Sequence, residues 1–222
     1  MAEPIVPPST RPDPDELLGP RAEVFALVVS GPSGVGKTSI CKKVIERDKR
    51  IRPIVTTTTR LKREGEAEGL DYHFVSEFQF DALLSDGAFL EHATVHGSRY
   101  GTTQTAFSTA VEKAEMILLD VDVQGAQAWR GVLRERCITL FVLPPSLEML
   151  RERLAGRQSE GEESLKVRTA NAIKEMTFAS TYDYVIVNHE LDQAIQDVES
   201  LLLTERSRPS RQGALLNSLN IG

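Results

Sequence analysis

The feature that most narrows the fold is Gly31-Pro32-Ser33-Gly34-Val35-Gly36-Lys37-Thr38, which satisfies G-x-x-x-x-G-K-[ST] at every fixed position. It follows the apolar run VFALVV at 24–29 and opens the helical pattern TSICKKVIERD. A strand buried on both faces, a glycine turn and a helix in direct succession predict a parallel sheet covered by helices. The glycines let backbone N–H groups turn inward around phosphate oxygens, and the helix N-terminus adds its positive end. Lys37 supplies a cation able to reach β- and γ-phosphates, and the Thr38 hydroxyl suits a Mg²⁺ shell.

The rest of the chain keeps the same rhythm. MILLDV (116–121), ITLFVL (138–143) and YVIVN (184–188) are further near-continuous apolar runs, the pattern of strands buried on both faces. Between them the period becomes helical: Leu147, Leu150 and Leu154 recur at i, i+3 and i+7 behind Ser146 as N-cap. Residues 52–103 break the alternation with polar strand-like pieces, PIVTTTT, DYHFV and AFLEHATV. They surround one expected helix, 77–85, introduced by Ser76 and Gln79 as a capping box. That stretch reads as an inserted lobe.

Residues 1–21 contain Pro4, Pro7, Pro8, Pro12, Pro14 and Pro20 and little to bury, which predicts a disordered leader. The Arg-, Ser- and Pro-containing stretch at 206–222 predicts a flexible tail. Lys plus Arg number 26 against 32 Asp plus Glu, a net −6, so no global cationic field holds a nucleic acid and any phosphate must be captured locally. No apolar run approaches the ~20 residues a membrane span needs, and the N-terminus lacks the pattern of a secretory signal. Cys41 and Cys137 sit in apolar surroundings as expected buried hydrophobes, which favours a reducing cytoplasm. His73, His92, His96 and His189 show no metal-ligand spacing.

The segment from Thr56 to Tyr72, TTTTRLKREGEAEGLDY, is the most informative. It resembles the guanylate kinase pattern S-x-T-T-R-x-P-R-x-G-E-x-x-G-x-D-Y. The resemblance continues through Phe89-Leu90-Glu91, Gly97-Ser98-Arg99-Tyr100-Gly101-Thr102, Asp120-Val121-Asp122-Val123-Gln124-Gly125, Pro144-Pro145-Ser146, Arg153-Leu154-Ala155-Gly156-Arg157 and Tyr182-Asp183-Tyr184-Val185-Ile186-Val187-Asn188, over about residues 24 to 205. Three positions depart from the pattern: Thr56 stands for Ser, Lys62 for Pro and His189 for an acidic residue.

The resemblance implies an α/β P-loop core (22–52, 103–150 and 181–205) with an inserted mixed α/β GMP-binding lobe (53–102) and a helical lid (151–180). It implies a nucleoside monophosphate kinase that moves the γ-phosphate of Mg-ATP to GMP and also to dGMP, with Mg²⁺ as the metal. The donor side would be Gly31 to Ser39, with Arg153 and Arg157. Arg60, Arg63, Tyr72 and Tyr100 would clamp the acceptor phosphate, two planar guanidinium forks and two phenols being suited to one phosphate. Glu66 would brace the arginines. Glu91 would accept from guanine N1–H and N2–H₂, with Thr56 and Thr102 as hydroxyl partners near the base; adenine would meet the carboxylate with a lone pair. Arg157 and Arg168 would close from the lid over ATP. Asp120 and Asp122 both end a buried strand, where spacing leaves the metal to either; the resemblance turns Asp120 toward Mg²⁺ with Thr38 and Asp122 toward GMP. The implied partners are therefore small molecules, with neither nucleic acid nor membrane, and oligomeric state stays open. The alternative is a catalytically inactive guanylate-kinase-like interaction module.

Overall fold

The computed structural model describes residues 13, 17, 18, 24–95, 97–112, 114–156 and 162–220. β1 (Phe25–Ser30) is the centre of a five-stranded parallel sheet. β7 (Met116–Asp120) and β8 (Cys137–Leu143) flank it, with β2 (Ile51–Pro53) beyond β7 and β9 (Tyr184–Val187) beyond β8. Each of the four apolar runs read from sequence forms one of these strands, within a residue at either end.

Side chains alternate across a strand, and both faces of β1 are covered. Phe25, Leu27 and Val29 pack with Ile40, Cys41 and Val44 of α1 (Lys37–Arg47) and with Ile195, Val198 and Leu202 of α7 (Leu191–Arg206). Ala26 and Val28 face Phe107 of α3 (Gln104–Glu112) and Trp129 and Val132 of α4 (Val123–Leu133). A fully buried aliphatic of this kind contributes roughly 1.5–3 kcal/mol, so the two-sided core is the main source of stability.

The inserted lobe is a four-stranded mixed sheet in the order β4-β3-β6-β5: β3 (Thr57–Thr58), β4 (His73–Phe74), β5 (Phe89–Val95) and β6 (Ser98–Thr103). The polar pieces contribute less strand than their patterns suggest, and β6, hidden inside a motif, is an addition. α2 (Glu77–Ser85) has the expected bounds, and both halves of its capping box are present: Ser76 Oγ accepts from Gln79 N at 3.2 Å and Gln79 Oε1 from Ser76 N at 2.8 Å. α5 (Leu147–Ala155), capped by Ser146, packs with α6 (Glu162–Met176) through Leu150, Leu154 and Ala172.

The C-terminal segment departs from expectation, whereas the leader lies almost wholly outside the described residues. Of the Pro-rich leader, Leu18 is 1% exposed within the core of Val24, Phe107 and Ala114; the other residues of 1–21, apart from 13 and 17, lie outside the described set. The segment expected as a flexible tail is anchored. Arg211 ion-pairs with the wholly buried Glu205 at 3.0 Å and lies 3.9 Å over the Phe25 ring, and α8 (Gly213–Ser218) follows. A carboxylate at that depth needs its cation, so the polar composition marks a partner rather than disorder.

Candidate active site

β1 and β7 carry the donor side to one rim. Their register sets Val29 beside Asp120, so the loop leaving β1 meets the last residue of β7. Thr38, in the first turn of α1, donates from Oγ1 to Asp120 Oδ2 at 2.7 Å. Lys37 Nζ curls back onto the Gly31 carbonyl at 2.7 Å. Gly31, with φ +146°, has no room for a side chain: a Cβ would stand 2.3 Å from the Val142 carbonyl oxygen. Gly36, with φ +102°, precedes α1, and a Cβ there would meet Asn188 Nδ2 at 2.5 Å.

Asn188 was part of the matched pattern but carried no assigned role. It is buried, and its Nδ2 donates to the Val35 carbonyl at 2.7 Å. Arg153, expected at the ATP phosphates, donates to the same carbonyl at 3.4 Å and to the Asn188 carbonyl at 3.2 Å. The top of the loop is thus bracketed from β9 and α5. Ser39, Arg153, Gly156, Asn188 and His189 border a second cleft beside the loop, with Gly34 and Gly36 at its floor.

The acceptor side is built from side chains. Glu91 and Thr102 are cross-strand partners just after an irregularity in the β5–β6 pairing at Phe89, and such a bulge re-aims the side chain that follows it. Thr102 Oγ1 donates to Glu91 Oε1 at 2.8 Å. Burial pushes the Glu91 carboxyl up to about 7; the Thr102 hydroxyl opposes this and the nearby Asp122 charge adds to it. Asp122 caps α4, its Oδ1 accepting from Gly125 N at 2.8 Å. Tyr72 stands edge-on to Tyr100 with ring centroids 6.1 Å apart. Burial, and then Asp120, push the Tyr72 phenol up to about 12, so it is a hydrogen-bond donor at every working pH.

Glu66 holds the Arg60 guanidinium but only the backbone of Arg63. Its carboxylate accepts from Arg60 Nη2 at 2.8 Å and from the Arg63 backbone N–H at 2.8 Å, while Arg60 lies 5.3 Å over the Tyr72 ring. An ion pair also ties the lobe to the core: Lys42 of α1 meets Asp71 at 2.5 Å.

One cleft joins the two sides. Ser33, Lys37 and Thr38 border it from the loop, Asp120 and Asp122 from the end of β7 and the start of α4, and Thr56, Arg63, Tyr72, Glu91 and Tyr100 from the lobe. Glu175 of α6, which the sequence reading passed over, borders it from the lid. Arg60 lies one layer back on Glu66, and Arg168 is half-buried on α6. Arg157 lies outside the described residues. Among the described residues no cluster of three or more His, Cys, Asp or Glu is placed to hold a metal, and no helix is long and apolar enough to cross a membrane. Cys41 and Cys137 are buried free thiols, both pushed up first by burial.

Comparison with known proteins gives the same answer from three directions. The guanylate kinase family model matches residues 24–205. A guanylate kinase of Alkalilimnicola ehrlichii is 40% identical over 192 residues, covering 85% of this chain and 93% of the relative, and one of Syntrophotalea carbinolica is 41% identical over 188 residues, covering 83% and 88%. The crystal structure of guanylate kinase from Anaplasma phagocytophilum superposes with a TM-score of 0.73 at 32% identity, covering 90% of this chain and 97% of that one. With the match running from the first core strand to the end of α7 and taking in both walls of the cleft, the chain belongs to the guanylate kinase family.

Proposed function

We propose that this guanylate kinase transfers the γ-phosphoryl group of ATP to GMP, and to dGMP as a second acceptor, in the cleft between the phosphate loop and the inserted lobe. The observation that carries the reading is that one cleft holds a complete phosphate loop on one wall and a buried carboxylate with a hydroxyl partner on the other. The cytoplasm is the expected setting, in keeping with two free thiols.

Lys37 and the loop N–H groups hold the β- and γ-phosphates. Lys37 is kept in place beforehand by the Gly31 carbonyl, a contact that ATP oxygens replace without moving the backbone. The short contact between Thr38 and Asp120 offers one hydroxyl and one carboxylate, the sparse oxygen set that suits Mg²⁺ completed by phosphates and water. When bound there, Mg²⁺ neutralises charge on the transferring group. Ser39, Arg153 and Asn188 at the second cleft suit the rest of the donor nucleotide.

At the acceptor wall Arg63, Tyr72 and Tyr100 grip the GMP phosphate, and Arg60 joins them, aimed by Glu66. The Glu91 carboxylate accepts from guanine N1–H and N2–H₂, and the Thr56 hydroxyl donates to O6. A phosphate oxygen of GMP then forms the new bond to the γ-phosphorus as the bond to the β,γ-bridging oxygen breaks, and ADP departs with that electron pair. No protein nucleophile takes part, so positioning and charge neutralisation supply the acceleration. Arg157 and Arg168 close from the lid, and closure excludes water that would otherwise take the phosphoryl group.

An inactive interaction module would have no use for Lys37, Thr38 and Asp120 in working arrangement. The test is ADP release with GMP, dGMP, AMP, UMP and CMP offered separately. Release driven by GMP and dGMP is expected; ADP release independent of acceptor, or driven equally by AMP, would overturn the reading.

A further inference from the structure

Trp129, the only tryptophan of the chain, is wholly buried on α4 and does not border the cleft. It stacks on Phe107 with centroids 5.4 Å apart and planes 16° from parallel. Stacking accounts for the ring but not for the indole nitrogen. Nε1 is fully enclosed and makes no hydrogen bond of acceptable geometry, an arrangement that native interiors rarely tolerate. Its surroundings supply a use for it. α4 packs against β5, Trp129 shares an apolar cluster with Leu90, and the next residue, Glu91, is a buried carboxylate that accepts from the Thr102 hydroxyl.

We propose that Trp129 is a positioning residue for the acceptor base, its indole N–H holding the Glu91 carboxylate from behind in the charged arrangement that faces guanine. This rests on the reading of Glu91 as the guanine acceptor. A carboxylate has about four lone-pair sites and can serve Thr102, guanine and the indole together. A shift of the Glu91 side chain, as it turns to the base, closes the Trp129 contact and satisfies both groups together. The indole already pulls the Glu91 titration downward, against burial and the Asp122 charge. The other ionisable groups on the cleft are Asp120, Tyr72, Tyr100, Arg63, Lys37 and Glu175.

Because the chain has one tryptophan, indole emission comes from this site alone, and Glu91→Gln isolates the part due to the contact. In the nucleotide-free full chain the emission should titrate with a midpoint near 7, and Glu91→Gln should abolish that transition. No transition, or one that survives Glu91→Gln, overturns the proposal. Trp129→Phe keeps a stacking ring and removes the donor. Incorporation of 3-benzothienylalanine at the same position replaces only N–H by sulfur and covers the case in which the Phe variant folds poorly. Either should lower kcat/KM for GMP about 3- to 10-fold on the acidic side of neutrality and move the acid limb of the profile to higher pH, with recovery in alkali, since a lost donor to the charged form raises the Glu91 pKa. A uniform loss at all pH values, or no loss, contradicts the role. If Glu91→Gln leaves the GMP-to-AMP preference unchanged, the guanine reading fails while the fluorescence coupling can still stand.

Discussion

The two walls of the cleft hold anions by opposite means. The donor wall is a backbone device whose main donors are held before any nucleotide arrives: Lys37 on Gly31, Thr38 on Asp120, Asn188 Nδ2 and Arg153 on Val35. The acceptor wall is a side-chain device drawn from β3, β5, β6, the 59–72 loop and the start of α4, and it holds a cost in reserve. Glu91 is buried with its pKa raised to about 7, and the Trp129 N–H near it makes no hydrogen bond of good geometry. Phosphate recognition needs little beyond N–H groups and a cation, whereas telling guanine from adenine needs a desolvated acceptor. The acceptor wall therefore carries its buried carboxylate where selectivity is made.

Lys37→Ala breaks the donor wall most severely. Lys37 touches only backbone carbonyls here, so kcat is expected to fall by about 10²–10³-fold while Tm moves by no more than a few degrees. Near-normal turnover would remove its assigned role.

Glu91→Gln exposes the reserve at the acceptor wall. A carboxyl whose folded pKa is raised gives stability that is fully present below the unfolded value near 4 and is lost as pH rises through about 7. Relative to wild type, the Gln variant should gain roughly 2–3 kcal/mol between pH ~4 and pH ~8, read from urea unfolding at both. A difference that does not change with pH would show that Glu91 carries no such strain.

Asn188→Ala loosens the bracket over the phosphate loop and should raise KM for ATP about 5- to 10-fold with KM for GMP unchanged. Equal effects on both substrates would mean that the two walls are not separable. Smallest is Lys42→Gln, which cuts the exposed ion pair between core and lobe and should raise KM for GMP by less than about threefold, less again in high salt.

The same contrast governs what could be read from sequence. A backbone device needs contiguous residues, so Gly31 to Thr38 announces itself, as do the strands buried on both faces and the Ser76–Gln79 capping box. The acceptor side chains lie up to tens of residues apart and became legible only through the family pattern. What escaped was set by long-range contact. Arg153 and Asn188 reach the Val35 carbonyl from 118 and 153 positions away. Leu18 and Arg211 find the core from segments whose composition reads as polar and irregular. Glu175 joins the cleft only once α6 is folded onto α5.

The most direct test of selective burial is the ratio of kcat/KM for GMP to that for AMP in wild type and in Glu91→Gln. The ratio should collapse by about 10²-fold or more, through loss on GMP, because a buried carbonyl–amide end offers one guanine donor no partner. An unchanged ratio would contradict the assignment of guanine recognition to the acceptor wall.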